Sequence, residues 1–157
     1  EVGKDAARFF LVGRRVSSHL DFDLELAKKE SQENPVYYIQ YAFARISSIL
    51  HKEKEEGFAE GDADLGLLKE AEELLLMRKL SQFPRSLSIC LDMLDPYPLT
   101  QYLTELAADF HKFYDKHKVL DAACANLSQA RLELVNAVKI VLRNGLSLLG
   151  LSTPERM

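Results

Sequence analysis

No run of apolar residues in this 157-residue chain approaches the ~20 needed to span a bilayer, and no charged, apolar and cleavable signal opens it. The chain is therefore expected to be cytosolic, with no membrane partner. Cysteine is scarce. Cys90 and Cys124 have no paired spacing and sit among apolar or small residues, which reads as two reduced core thiols and not as a disulfide or a metal site. His111 and His117 are six residues apart, so they lie on different faces of a helix and form no two-histidine metal arm. A Gly-rich phosphate loop, a nucleophile with a base at workable spacing and a Cys/His ligand set are all missing. No stand-alone hydrolase or transferase site can be assembled from what remains.

Positive charge is also short overall, with a formal net charge of −4, which by itself argues against a nucleic-acid partner. The deficit is local. Between His51 and Leu76 there are nine acidic and three basic residues, a charge of −6 that leaves +2 for the rest. A near-neutral body can still carry a basic patch, and the acidic part is assigned to packing and solubility. With 47% apolar and 28% charged residues the chain has the composition of one globular domain large enough to bury a core. It starts on Glu1 and not on a methionine, so it is read as a piece of something longer.

What the sequence does have is a strong helix start at Asn34-Pro35. Asn34 can accept hydrogen bonds from first-turn amides, and Pro35 has its φ set for the first helical position. Over the following residues Ile39, Ala42, Phe43, Ile46 and Leu50 form one stripe, while Tyr37, Tyr41, Ala44, Arg45 and Ser48 fall opposite. Tyr37, Tyr41 and Arg45 are each four apart, so two phenol rings and a guanidinium stand in one row. Three uses fit that row. It can cover the rim of a core with hydroxyls in water, serve as a protein–protein hot spot, or stack unpaired RNA bases at ~1–3 kcal/mol each.

Around it the chain reads as helical. Residues 1–13 carry an apolar face of Ala6, Ala7, Phe9, Phe10 and Leu11, followed by Arg14 and Arg15 at the helix end. His19 to Leu24 alternates and predicts a short strand or extended arm with Leu20, Phe22 and Leu24 on one side and Asp21 and Asp23 on the wet side. Glu25 to Glu30 predicts a helical turn or two. Lys52 to Glu56 extends the Asn34 helix, then Gly57, Gly61 and Gly66 break the chain. Leu67–Leu80 returns to helical spacing with Leu68, Ala71, Leu74, Leu75 and Leu76 apolar. Phe83 to Leu94 predicts a core helix through Leu87, Ile89, Cys90, Leu91, Met93 and Leu94. A helix from Tyr97 or Pro98 to about Lys118 buries Leu99, Leu103, Leu106, Phe110 and Phe113, with His111, Tyr114, Asp115 and Lys118 crowded near its end. A last helix, Leu127–Leu149, faces Leu127, Ala130, Leu134, Val138, Val141 and Leu142 inward and Arg131, Lys139 and Arg143 outward.

The string Asn-Pro-Val-Tyr-Tyr-Ile-Gln-Tyr-Ala-Phe-Ala-Arg from Asn34 to Arg45 resembles the signature that opens the C-terminal, anticodon-binding (DALR-type) domain of arginyl-tRNA synthetases. Gly3 to Phe10, the Asp-Phe-Asp arm, Pro98 to Leu103 with Phe113 to Lys116, and the end from Gly145 to Met157 are similar to further landmarks of that family, so the resemblance covers nearly the whole chain. It implies an all-α helical bundle of the class Ia synthetase anticodon-binding type, with a short N-terminal helix and an extended arm. Residues 1–33 would be the segment joining a catalytic domain and contacting the tRNA stem, with Arg14 and Arg15 near the tRNA's inner bend. Residues 34–157 would be the anticodon-binding domain.

The implied partners are tRNA(Arg) and the catalytic domain of the same enzyme, and a monomer is expected. Tyr37, Tyr41, Arg45, Tyr114, Lys118 and Met157 would meet the anticodon loop: Tyr41 stacking, Arg45 holding a base or phosphate, Met157 folding back as the parent's own C-terminus. Arginine codons share a middle G, so the common determinant would be the middle anticodon cytosine. ATP and Mg would be bound by the catalytic domain, whose two signatures are not in this sequence, so the fragment alone should not charge tRNA. The family often has histidine where this chain has Phe43, and Phe43 belongs to the buried stripe.

Overall fold

The computed structural model describes residues 2–15, 17–19, 22–56 and 63–157. The expectations placed on Leu20, Asp21, Gly57 and Gly61 lie outside the described residues. Among those described, all regular structure is helical: α1 (Lys4–Val12), α2 (Leu24–Lys28), α3 (Pro35–Glu56), α4 (Ala71–Ser81), α5 (Phe83–Met93), α6 (Tyr97–Lys116) and α7 (Ala125–Leu148). Short 3-10 turns at Leu65–Leu67 and Ala122–Cys124 precede α4 and α7. The expected helical bundle is therefore the architecture found.

The three long helices make the core. α3 packs against α6 and α7, α4 packs on both α6 and α7, and α5 packs on α6. Ile39, Ile46, Leu103, Leu106, Phe110, Phe113, Leu142 and Leu146 are fully buried where these helices meet. Burying side chains of this size contributes roughly 1.5–3 kcal/mol each before chain entropy is subtracted, so this interior dominates stability. α3 is enclosed more completely than its stripe implied, because Val36, Gln40, Ala44, Ser47 and Ile49 are buried as well. Ala44, expected on the outer face, is thus an inner residue.

Asn34 differs from the expected cap. Its Nδ2 donates to the carbonyls of Ala27 and Lys29 at 3.2 and 2.9 Å, and its Oδ1 has no partner. The side chain ties the end of α2 to the start of α3, while Pro35 removes one of the first-turn donors that a cap would satisfy. Of the expected short strand or extended arm, the strand is not found among the described residues, and Leu24 leaves the arm for α2. Asp23 caps α2, accepting from the Leu26 amide at 2.9 Å, so Leu24 is helical and exposed; Phe22 packs edge-on against Phe10.

Further expectations fail because burial depends on what lies above a stripe. In α5, Leu91, Met93, Leu94 and Ile89 are exposed, with Leu94 at 86%. In α4, Leu74 and Leu75 are exposed and Leu76 carries the packing. Leu11 of α1 is exposed, and of the two cysteines Cys124 is exposed and Cys90 half-buried, so neither is a core thiol. Arg131, expected to face outward, turns in: its Nε donates at 2.7 Å to Oε1 of the fully buried Glu73.

Candidate nucleic-acid interface

The tyrosine row forms on α3 as its spacing requires. The rings of Tyr37 and Tyr41 are 6.2 Å apart at 9°, and Nη2 of Arg45 donates to the Tyr41 hydroxyl at 2.7 Å. The Arg45 guanidinium then sits 4.7 Å from the Tyr41 ring and 4.6 Å from that of Tyr114, which α6 supplies from across the helix crossing. A delocalised cation between two ring faces is held by their quadrupoles and leaves its remaining N–H groups free to donate. Asp115, 3.9 Å away and mostly exposed, partly balances it.

Beside this cluster lies a groove of about 1000 Å³. Tyr41, Arg45, Tyr114, Lys118 and Met157 all line it, so five of the six expected anticodon-side residues converge. Tyr37 does not line the groove but extends the row one turn beyond Tyr41. Its charged lining is Arg45, Lys52, Lys116, Lys118 and Arg156 against Asp115 alone. A chain of net charge −4 therefore concentrates cations at one place. Lys52 and Arg156 were not anticipated: Lys52 reads locally as a solvated helix end, and Arg156 acquires its place only through the fold of the tail.

Two constructions hold the groove's walls. On one side the segment after α6, which ends at Lys116 and not at Lys118, is anchored by the acidic α4. Glu72 accepts from Lys116 and from His117, whose Nε2 lies at 3.1 Å, and these partners pull its carboxyl down to about 2. Arg131, held by Glu73, donates from Nη1 to the Lys118 carbonyl at 2.9 Å. The acidic segment thus does serve packing, but its packing shapes the basic groove. Lys118 itself reaches Asp121 at 3.3 Å.

On the other side the tail is tied down before it reaches the groove. α7 closes with bonds from Leu151 N–H to the Leu146 carbonyl and from Gly150 N–H to that of Ser147, both 2.9 Å, with Gly150 at φ 68°. This left-handed C-terminal turn suits glycine, and buried Leu146 and Leu151 complete it. Ser152 then bonds to Asp5 through its amide at 3.0 Å and also through its hydroxyl, while Gln40 donates to Asp5 at 2.8 Å and to the Ser152 carbonyl at 3.1 Å. Burial raises the Asp5 carboxyl, but the donated bonds from Ser152 and Gln40 outweigh it and leave the group lowered. Arg156 and Met157 follow at the groove's edge.

Arg14 and Arg15 lie elsewhere. Arg14 donates to the His19 carbonyl at 3.0 Å, and Arg15 rests 5.7 Å from the ring of Tyr97 at the start of α6. Seventeen residues of helix separate Tyr97 from Tyr114, about 26 Å at 1.5 Å per residue, so the two arginines and the groove are separate features. No group of three or more His, Cys, Asp or Glu among the described residues is arranged to hold a metal ion, and no step through ATP or Mg is assigned to this chain. No helix among the described residues is long and apolar enough to cross a membrane.

Comparison with known proteins agrees over the whole length. The chain is 52% identical over 160 residues to an arginine–tRNA ligase of Carboxydothermus hydrogenoformans, and 52% over 161 residues to one of Desulforudis audaxviator. Each alignment covers 100% of this chain and 28% of the relative, so the chain spans less than a third of these proteins. Among solved structures, a protein of Campylobacter jejuni assigned as an arginyl-tRNA synthetase superposes with a TM-score of 0.86 at 29% identity, over 100% of this chain and 34% of that one. Thermus thermophilus arginyl-tRNA synthetase gives 0.81 at 29% identity, over 98% and 26%. Residues 39–157 match the family model of the DALR anticodon binding domain, and the chain belongs to that family.

Proposed function

We propose that this chain binds the anticodon loop of an arginine tRNA, as the anticodon-binding domain of a longer, cytoplasmic arginine–tRNA ligase. The observation that carries this reading is the groove that joins two tyrosine rings and a stacked arginine to a lining of four further cations and one carboxylate. Single-stranded RNA recognition needs this combination: π faces for splayed bases, cations for the phosphates between them. Tyr41 and Tyr114 offer the faces, Arg45 donates to a base edge or phosphate, and Lys118 with the Met157 end closes the site. Tyr37 extends the stacking row. Residues 34–157 form the RNA-binding unit and residues 1–33, with Arg14 and Arg15, face the catalytic part and the tRNA stem. ATP and Mg chemistry lies in that catalytic part, and this chain acts as a monomer.

The test is binding of this chain to an arginine tRNA transcript and to the same transcript with its middle anticodon base changed, each at two salt concentrations. Affinity should fall steeply with salt and drop by ~1–3 kcal/mol on the base change, with a loss of similar size for Tyr41→Ala. Equal binding of both transcripts removes the anticodon assignment. Salt-insensitive capture of a protein partner through the tyrosine row would favour the docking-module reading instead.

A further inference from the structure

His111 belongs to no expected site set, yet it sits under the whole arrangement. It comes from α6, is only 7% exposed, and touches Tyr41 and Arg45 of the α3 row together with Tyr38 beside it. Its ring centroid is 4.5 Å from that of Tyr38 and 5.7 Å from that of Tyr41, nearly parallel to the latter at 22°. Its Nε2 faces the Tyr38 backbone carbonyl and its Nδ1 faces Nη1 of Arg45, both at 3.5 Å, the long end of hydrogen bonding. These two neighbours dictate the tautomer. A carbonyl can only accept, so Nε2 carries the proton; a guanidinium can only donate, so Nδ1 carries the lone pair.

We propose that His111 is a positioning residue for nucleic-acid binding: its neutral imidazole, protonated on Nε2, backs the Tyr41 ring and accepts from Arg45, fixing the guanidinium between Tyr41 and Tyr114. The proposal rests on the anticodon-loop reading and says what orients its central cation. Without the acceptor, Arg45 is free to rotate away from the two rings, and the order it presents to RNA is lost. Protonation would have the same effect, because it places an N–H and a positive charge against the guanidinium.

The groups that face His111 are consistent with a neutral ring. From α3 these are the Arg45 charge, the Tyr38 carbonyl and the rings of Tyr38 and Tyr41; from α6, Asp115, with Asp109 acting on Tyr38. Burial lowers the His111 pKa most. The Tyr38 carbonyl pulls the other way, Arg45 lowers it again and Asp115 raises it, and the balance lies below the ordinary histidine value. A lowered pKa means the neutral form holds at neutral pH and is lost only on acidification below the usual histidine range.

Two replacements separate the two ring nitrogens. In His111→Asn the amide oxygen can stand near Nδ1 and accept from Arg45 without titrating. In His111→Gln the amide nitrogen can stand near Nε2 and donate to Tyr38, but the acceptor for Arg45 is gone. Affinity of the unsubstituted chain for the arginine tRNA transcript should hold from about pH 7.5 down to about pH 6.5 and fall on further acidification, by about tenfold once the ring is protonated, the scale of one hydrogen bond to a charged group. His111→Asn should bind within about threefold of it at neutral pH and lack that fall, whereas His111→Gln should be about tenfold weaker already at neutral pH.

The same acid dependence in the unsubstituted chain and in His111→Asn, or Asn and Gln variants equally weakened, would overturn the proposal while leaving the anticodon-loop reading intact. No binding by the unsubstituted chain at any pH would remove both. Nitrogen NMR of the His111 ring in the unsubstituted chain serves should either variant fail to fold: a protonated Nε2 and a bare Nδ1 support the proposal, and the opposite tautomer sinks it.

Discussion

α5 and α7 end in the same way and differ in almost everything that follows. In α7 the amides of Leu151 and Gly150 return to the carbonyls of Leu146 and Ser147; in α5 those of Asp95 and Leu94 return to Cys90 and Leu91, at 3.1 and 3.3 Å. Each turn needs one left-handed residue, Gly150 at φ 68° and Leu94 at φ 50°. At the α7 end glycine meets the turn without a Cβ and Arg8 holds its carbonyl, the next residue Leu151 is buried, and Asp5 and Gln40 secure the chain at Ser152. At the α5 end a leucine takes the strained position with 86% of its surface exposed, beside exposed Met93 and Leu91. One turn is built to place a tail in the groove. The other leads, through buried Asp95, whose Oδ1 accepts from the Tyr97 amide at 2.9 Å, straight into α6.

Breaking the α7 turn should cost most. Gly150→Ala puts a Cβ on a left-handed residue and 2.0 Å from Nη1 of Arg8. The Arg8 tip can swing away, but it then gives up its 3.0 Å bond to the Gly150 carbonyl. Thermal unfolding should show a loss of about 1–2 kcal/mol, and RNA affinity should fall with it because Arg156 and Met157 lose their register. Undiminished RNA affinity in a destabilised Gly150→Ala would mean that the tail plays no part in binding.

Repairing the α5 turn should have a smaller effect of opposite sign. Leu94→Gly removes the left-handed strain and little apolar burial, so denaturant unfolding should report about 0.5–1 kcal/mol of added stability with RNA affinity unchanged. Smallest is Leu91→Ala, 73% exposed, which should lie within about 0.5 kcal/mol of the parent. A loss of core size there, about 2–5 kcal/mol, would mean that Leu91 is covered in the folded protein after all.

The contrast also marks what could be read in advance. Tyr37, Tyr41 and Arg45 were legible because a row at four-residue spacing is internal to one helix, whatever packs around it. The same logic failed for α5, where a stripe of Leu, Ile and Met looks like core but has no element over most of it. The places of His111 and Arg131 are hidden in the sequence for a related reason. His111 matters only because α6 crosses α3 at Tyr38 and Arg45; Arg131 turns inward only because Glu73, 58 residues earlier, is fully buried opposite it. Asn34 has the type and position of a helix cap, but the carbonyls of Ala27 and Lys29 at the end of α2 claim its amide.

By itself the sequence determined the helices, the stripe of Ile39, Ala42, Phe43 and Ile46, the row of aromatic and guanidinium groups, and the family, since all of these depend on local spacing or on strings of adjacent residues. The tertiary structure alone decided which cations share one groove, that α4's acids brace its wall, that the tail ends at its edge, and that a buried imidazole backs Arg45. Those outcomes depend on residues far apart in the chain meeting at helix crossings, and no periodicity along a single helix encodes where two helices cross.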